Sequence, residues 1–207
     1  MKFVFFFPLT NANNGHKVSP PLSVLACAAP LMRDGIDVVV VDARIEPDYE
    51  RMVLEAMADA DLLGVSSMTG YQIADGLKVS AAVKAKFPDK PVVWGGYHPS
   101  LLAGQTVNDP NIDIVARGQG EVTCLELARW LKGEMALEDI NGLTFKRDGE
   151  VVNNAERAVT DINEFPAMPY DLIDLEKYLE FNRRYHDDNR RAINYVSSFG
   201  CPHACGF

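Results

Sequence analysis

Two thiols four residues apart, Cys201 and Cys205, stand in the run Gly200-Cys201-Pro202-His203-Ala204-Cys205-Gly206-Phe207. In a chain with no mark of an oxidising compartment, that pair suits thiolate ligation of a metal better than a structural disulfide. Gly200 and Pro202 bend the backbone, as a loop wrapping a metal centre requires. Two thiolates alone complete neither a closed zinc site nor an iron–sulfur cluster. Cys27 and Cys124 lie inside apolar helical patterns and read as small buried hydrophobes. A second group is small and polar. Ser66-Ser67-Met68 and Gly95-Gly96-Tyr97-His98-Pro99-Ser100 each close a short apolar run, as Pro8-Leu9-Thr10 does earlier. A hydroxyl beside two residues without side chains opens a slot between strand ends, where a ligand meets the backbone closely. A bare turn at Gly95-Gly96 and a strand cap at Ser66 are the plainer alternative.

The elements that must position these residues alternate β and α from residue 2 to residue 133. Phe3 to Phe7 is an apolar run without alternation that stops at Pro8, as a strand buried on both faces should. Pro20-Pro21 opens an amphipathic helix through Met32, closed by Asp34-Gly35. Strands follow at 36–41, 62–68, 92–94 and 112–116. Helices lie between them, one capped by Asp48, one from Ile73 to Phe87 and a short one over 100–107. Gly118-Gln119-Gly120-Glu121 turns the chain into a last helix, Val122 to Leu131, stopped by Gly133. Five such units imply an α/β fold, a five-stranded parallel sheet covered on both faces, wired in the flavodoxin-like (Rossmann-like) order 2-1-3-4-5. Ligands in such sheets bind outside the carboxyl ends of the strands, here the loops 8–19, 66–70, 95–99 and 117–121. Leu143–Arg147, Asp148-Gly149 and Glu150–Val152 read as a hairpin with a tight turn. Residues 158–190, with Pro166, Pro169 and many charges, suit a linker, and Ala192–Ser198 reads as a new strand. The expected organisation is therefore 1–133 as the sheet domain, 134–190 as hairpin and linker, and 191–207 as the start of another domain.

Charge and composition narrow the classes. Of the 207 residues 47% are hydrophobic, enough for a full core, and 29 acidic against 20 basic residues give a net charge of −9. Such a chain lacks the positive field that non-specific phosphate-backbone binding needs, so nucleic acid is not an expected partner. Its apolar runs are too short to span a bilayer, and Lys2 with Phe3–Leu9 has no small-residue cleavage site after it. A cytoplasmic protein is expected. A phosphoacceptor receiver would need acidic residues after the first strand and an aspartate ending the third; Pro8-Leu9-Thr10 and Ser66-Ser67-Met68 supply neither. The dinucleotide pattern G-x-G-x-x-G and a flavin phosphate loop are both missing after the first strand.

The terminal segment resembles the radical S-adenosylmethionine enzymes, whose partial barrel begins with a strand followed by C-x3-C-x-aromatic-C. Cys201, Cys205 and Phe207 match the first three defined positions, and the third cysteine would stand one past the end. The resemblance implies an N-terminal fragment, with Cys201 and Cys205 as two of three ligands to a 4Fe-4S cluster that binds S-adenosylmethionine. The sheet is similar to cobalamin-binding domains, whose fingerprint is D-x-H-x-x-G after the first strand, S-x-L ending the third and G-G ending the fourth. Ser66-Ser67-Met68 stands for the second element with Met in place of Leu, and the segment 69–94 gives the family's spacing to Gly95-Gly96. The first element is degraded: Asn14-Gly15-His16-Lys17-Val18-Ser19 keeps a histidine but has Asn for Asp and Ser for Gly. His16 and His98 are both candidate cobalt ligands; each also suits an ordinary loop, and cobalamin-dependent radical enzymes commonly use no histidine ligand. The G-x-G-E turn and the Pro-Pro helix start recur in the same family.

By resemblance, the cofactor-binding residues are Thr10, Ser66, Ser67, Gly95, Gly96, Tyr97, His98, Gly118, Gln119, Gly120 and Glu121, with Cys201 and Cys205 on the metal. Backbone N–H groups of the 118–121 turn could face corrin amides or phosphate, while Glu121 also suits the helix dipole. The complete enzyme would combine cobalamin with S-adenosylmethionine cleavage. A methyltransferase acting on an unactivated centre is the leading expectation, with ring closure as a variant. A small-molecule or natural-product-like substrate and an electron donor such as a flavodoxin or ferredoxin would be its partners. The other readings are a non-catalytic cobalamin carrier or sensor domain and a flavodoxin-like nucleotide-binding domain.

Overall fold

The computed structural model describes residues 1–11, 18–183 and 193. Five parallel strands, β1 (Lys2–Phe7), β2 (Asp37–Asp42), β3 (Leu62–Ser66), β4 (Val92–Gly95) and β5 (Ile114–Ala116), lie in the expected order β2-β1-β3-β4-β5. Seven helices accompany the sheet among the described residues: α1 (Leu22–Arg33), α2 (Tyr49–Ala56), α3 (Tyr71–Lys86), α4 (Tyr97–Leu101), α5 (Ala103–Val107), α6 (Gly120–Leu131) and α7 (Leu175–Arg183). No helix among the described residues is long and apolar enough to cross a membrane.

The phenylalanine-rich first strand explains the two cores. Successive side chains of a strand point to opposite faces. Val4 and Phe6 therefore enter one core with Val65, Trp94 and Val115, packed by α2, α3 and α5. Phe3 and Phe5 enter the other with Leu62, Val93 and Ile114, packed by α1 and α6. All four are at most 6% exposed, so this strand has no polar face to alternate with. The short helix expected over 100–107 is two helices. Leu102, at φ −125° and ψ 44°, leaves helical geometry and separates α4 from α5.

The five parallel strands stand as expected, and the sheet extends beyond them and beyond residue 133. The hairpin β6 (Leu143–Arg147) and β7 (Glu150–Asn153) joins it antiparallel to β5, making seven strands. Its turn is the tight one expected, with Asp148 and Gly149 both at positive φ (52° and 84°). Leu143 and Phe145 complete the α1/α6 core; an edge at β5 would have left that face short of cover. The stretch after β7, expected as a linker, packs along the sheet domain. Arg157 Nε donates to Thr123 Oγ1 at 2.8 Å and its guanidinium pairs with Glu126, both on α6. Thr160 and the Gln119 amide exchange hydrogen bonds of 2.8 and 3.1 Å. Leu172 then packs on the α1/α6 core, and Tyr178 of α7 is 2% exposed at the end of β2. The chain thus returns as a strap from one sheet edge to the other. The strand expected over 192–198 lies outside the described residues, apart from Ile193.

Candidate cofactor site at the carboxyl edge of the sheet

Ser66, Gly95 and Ala116 end neighbouring strands and stand in register, Ser66 opposite Gly95 and Gly95 opposite Ala116. The two glycines of β4's end differ physically. A Cβ on Gly96 would lie 2.6 Å from the Ser67 carbonyl oxygen, and its φ of +101° is strained for any L side chain. Gly96 is therefore glycine because the backbone demands it: His98 N donates to Ser67 O at 3.2 Å and Ser67 N to Gly95 O at 2.8 Å across this approach. Gly95 has no such need. A Cβ there would meet the Ala116 oxygen at 3.6 Å, an ordinary contact. A Cβ would thus fit at Gly95 without a clash, so the protein's own packing does not require glycine there.

Around it, Ser66 Oγ lies 3.2 Å from Ser23 Oγ in the first turn of α1. Gly118 N donates to Ser100 Oγ at 3.0 Å, tying the β5 loop to α4. Met68, Tyr71 and Tyr97 are exposed on the segments that leave β3 and β4, Tyr97 by 75%. The other expected residues divide by what they touch. Ser67 is fully buried and its hydroxyl donates to the Met68 carbonyl, so it braces the loop. His98 is 8% exposed, with Nδ1 3.2 Å from Thr69 Oγ1 across the two loops. Gln119's amide is committed to Thr160, and a Cβ on Gly120 would come within 2.7 Å of Cys27 Sγ, so that glycine lets α6 close on α1. Thr10 is exposed and Glu121 half-buried at the mouth. Cys27's thiol is held well above its usual range by its hydrogen bond with Cys124 and by burial. His16, Cys201 and Cys205 lie outside the described residues.

Sequence reasoning missed the residues that hold these loops. Asp75, 6% exposed on α3, accepts from Leu9 N at 2.8 Å and from Tyr49 Oη at 2.7 Å. Burial and that carboxylate push the Tyr49 hydroxyl above its usual range. Gln72, one turn earlier, donates to Pro8 O at 3.1 Å and accepts from Met68 N at 2.8 Å. One α3 turn thus pins the loops after both β1 and β3. The legible signal was two polar residues, Gln72 and Asp75, three apart on a helix face that should be apolar. Gln72→Leu would leave the Pro8 carbonyl and the Met68 amide unpaired, and a loss of about 2 kcal/mol is expected in denaturant unfolding. An unchanged midpoint would show that these contacts do not hold the loops.

Residues 10–128 match the family model of the B12 binding domain. The chain belongs to that family. It is 30% identical over its full length to an uncharacterized methyltransferase of Pyrococcus horikoshii, of which it spans 45%. It is 26% identical over 91% of its length to the anaerobic magnesium-protoporphyrin IX monomethyl ester cyclase of Synechocystis, spanning 37% of that protein. The chain thus spans less than half the length of these curated relatives. Its fold is that of the corresponding part of OxsB, a cobalamin-dependent S-adenosylmethionine radical enzyme solved with aqua-cobalamin bound. The TM-score is 0.75 at 19% identity, over 86% of this chain and 25% of that one.

Proposed function

We propose that this chain is the cobalamin-binding part of a cobalamin-dependent radical S-adenosylmethionine enzyme, with methyl transfer as the favoured activity. Gly95, a glycine that the protein's own packing does not require, at the strand ends of a chain of the B12 binding family, carries this reading. The relatives described as a methyltransferase and a cyclase, and OxsB, support the enzyme class. Cobalamin, when bound, supplies a cobalt centre that can carry a methyl group. The chain's own residues bind and orient it. Gly95 and Gly96 let the backbone approach, Ser66 offers a hydroxyl, and the Gly118–Glu121 turn presents N–H groups at the start of α6. Thr10 and Tyr97 border the mouth. Cys201 and Cys205 would hold two corners of a 4Fe-4S cluster that engages S-adenosylmethionine. A small-molecule, natural-product-like substrate, an electron donor of the flavodoxin or ferredoxin kind and a cytoplasmic setting complete the proposal.

An absorbance titration of the purified chain with hydroxocobalamin, followed by desalting, tests it. Retention near one equivalent is expected, with the spectrum shifted toward the form whose nucleotide tail has left cobalt. A chain that elutes free of cobalamin would overturn the reading of this edge as its site.

A further inference from the structure

At the carboxyl end of β2 lies a buried charge cluster that no cofactor contact accounts for. Asp42 and Arg44 are 3% and 8% exposed. Asp42 Oδ1 accepts from the Arg44 backbone N at 3.0 Å and from its Nε at 2.9 Å. Oδ2 accepts from Arg44 Nη2 at 2.6 Å and from the Tyr178 hydroxyl at 2.8 Å. The same guanidinium donates to the Ser19 carbonyl at 2.8 Å and lies 4.1 Å over the Phe7 ring. Phe7 ends β1 and Ser19 stands just before α1, so one arginine holds the chain on both sides of the loop between them, and one carboxylate joins it to α7. In sequence, α7 precedes Cys201 and Cys205. Lys177 also pairs with Glu46 at 2.6 Å, seating the helix on the β2 loop.

Fold stability alone is a poor reason for such a cluster, since a buried ion pair is commonly replaceable by apolar residues of similar volume without loss. What apolar packing cannot supply is a directional link in which one planar donor group ties Phe7, Ser19 and the end of β2 together and the Asp42 carboxylate extends it to α7. We infer that Asp42, Arg44 and Tyr178 form a latch that couples the chain at Phe7 and Ser19, on either side of the loop between β1 and α1, to α7. These are positioning residues. The inference rests on the cobalamin reading, because the coupling runs from that cofactor's edge.

Coupling between two sites is reciprocal, so cobalamin at the sheet edge must be felt in α7. Amide hydrogen exchange of the whole chain, read with and without hydroxocobalamin, is expected to slow in 175–183 as well as in 8–19. The effect in α7 should be about fivefold, the lower end of ordinary coupling between sites. Tyr178→Phe keeps the ring that packs there and removes only the hydroxyl. It should abolish the slowing in α7 while leaving cobalamin retention and the slowing in 8–19. Arg44→Lys keeps the charge but lacks the fork that reaches Asp42 and Ser19 together, and should remove the α7 response as well. Slowing in α7 that survives Tyr178→Phe would overturn the latch. So would an unmodified chain that retains cobalamin without any change in α7. A chain that does not retain cobalamin in the parallel absorbance measurement would remove the cofactor reading and the latch together.

Discussion

Gly95→Leu is expected to leave the fold standing and to weaken cobalamin retention a hundredfold or more. The reason lies in the contrast between two adjacent glycines. A Cβ on Gly95 meets the Ala116 oxygen at 3.6 Å and the Ala116 Cβ at 3.9 Å, ordinary contacts that require no movement. A leucine there adds three carbons beyond that Cβ, and a cofactor seated against the backbone must withdraw by the thickness of a side chain. A hundredfold loss corresponds to about 2.8 kcal/mol of binding free energy. Gly96→Ala is the control. It meets the Ser67 oxygen at 2.6 Å and must hold φ +101°, so it should cost about 1–3 kcal/mol of stability whether or not cofactor is present. Urea midpoints and hydroxocobalamin titrations of both variants separate the cases. Retention by Gly95→Leu equal to the unmodified chain would place the cofactor away from β4.

The difference between these glycines also marks how far the sequence could be read. Gly95-Gly96 after a short apolar run announced a close backbone approach, and its spacing from Ser66 placed the two on neighbouring strand ends. The period of the pattern carried the rest of the sheet, because Phe3 to Phe7 can only be a strand with cover on both faces. Which glycine serves the fold and which leaves room could not be read, since that depends on the Ser67 carbonyl crossing from β3. The hairpin was legible as Asp148-Gly149 between apolar runs. Its pairing with β5 was not, because the return over Arg117 rests on contacts such as Arg117 N to Gly142 O at 2.8 Å, far apart in sequence. The strap over α6 was hidden for a related reason. Its charged and polar residues look solvated in sequence, yet Arg157 and Thr160 meet Thr123, Glu126 and Gln119 only once α6 has packed. Polar partners separated by more than thirty positions leave no local period, whereas apolar burial does.

Asp42→Ala should be the most damaging single substitution in the β2 loop, with an expected loss of about 3–5 kcal/mol in denaturant unfolding. The carboxylate accepts three hydrogen bonds from Arg44 and one from Tyr178 in a place that is 3% exposed. Removing it strands a guanidinium that is 8% exposed, with the Ser19 carbonyl and the Phe7 face as its remaining partners among the described residues. The Tyr178 hydroxyl, which burial and the Asp42 charge hold well above the usual range, loses its acceptor too. The double replacement Asp42→Leu with Arg44→Met removes both charges and keeps comparable volume, so most of the lost stability should return. Recovery in the double variant would show that the single loss is the cost of an orphaned buried charge rather than the worth of the pair. If the double variant unfolds as early as Asp42→Ala, the cluster itself holds the β2 end, and its persistence needs no coupling to α7. Recovered stability without recovered exchange slowing in α7 would leave transmission between the proposed cofactor edge and α7 as what this ion pair adds to the domain.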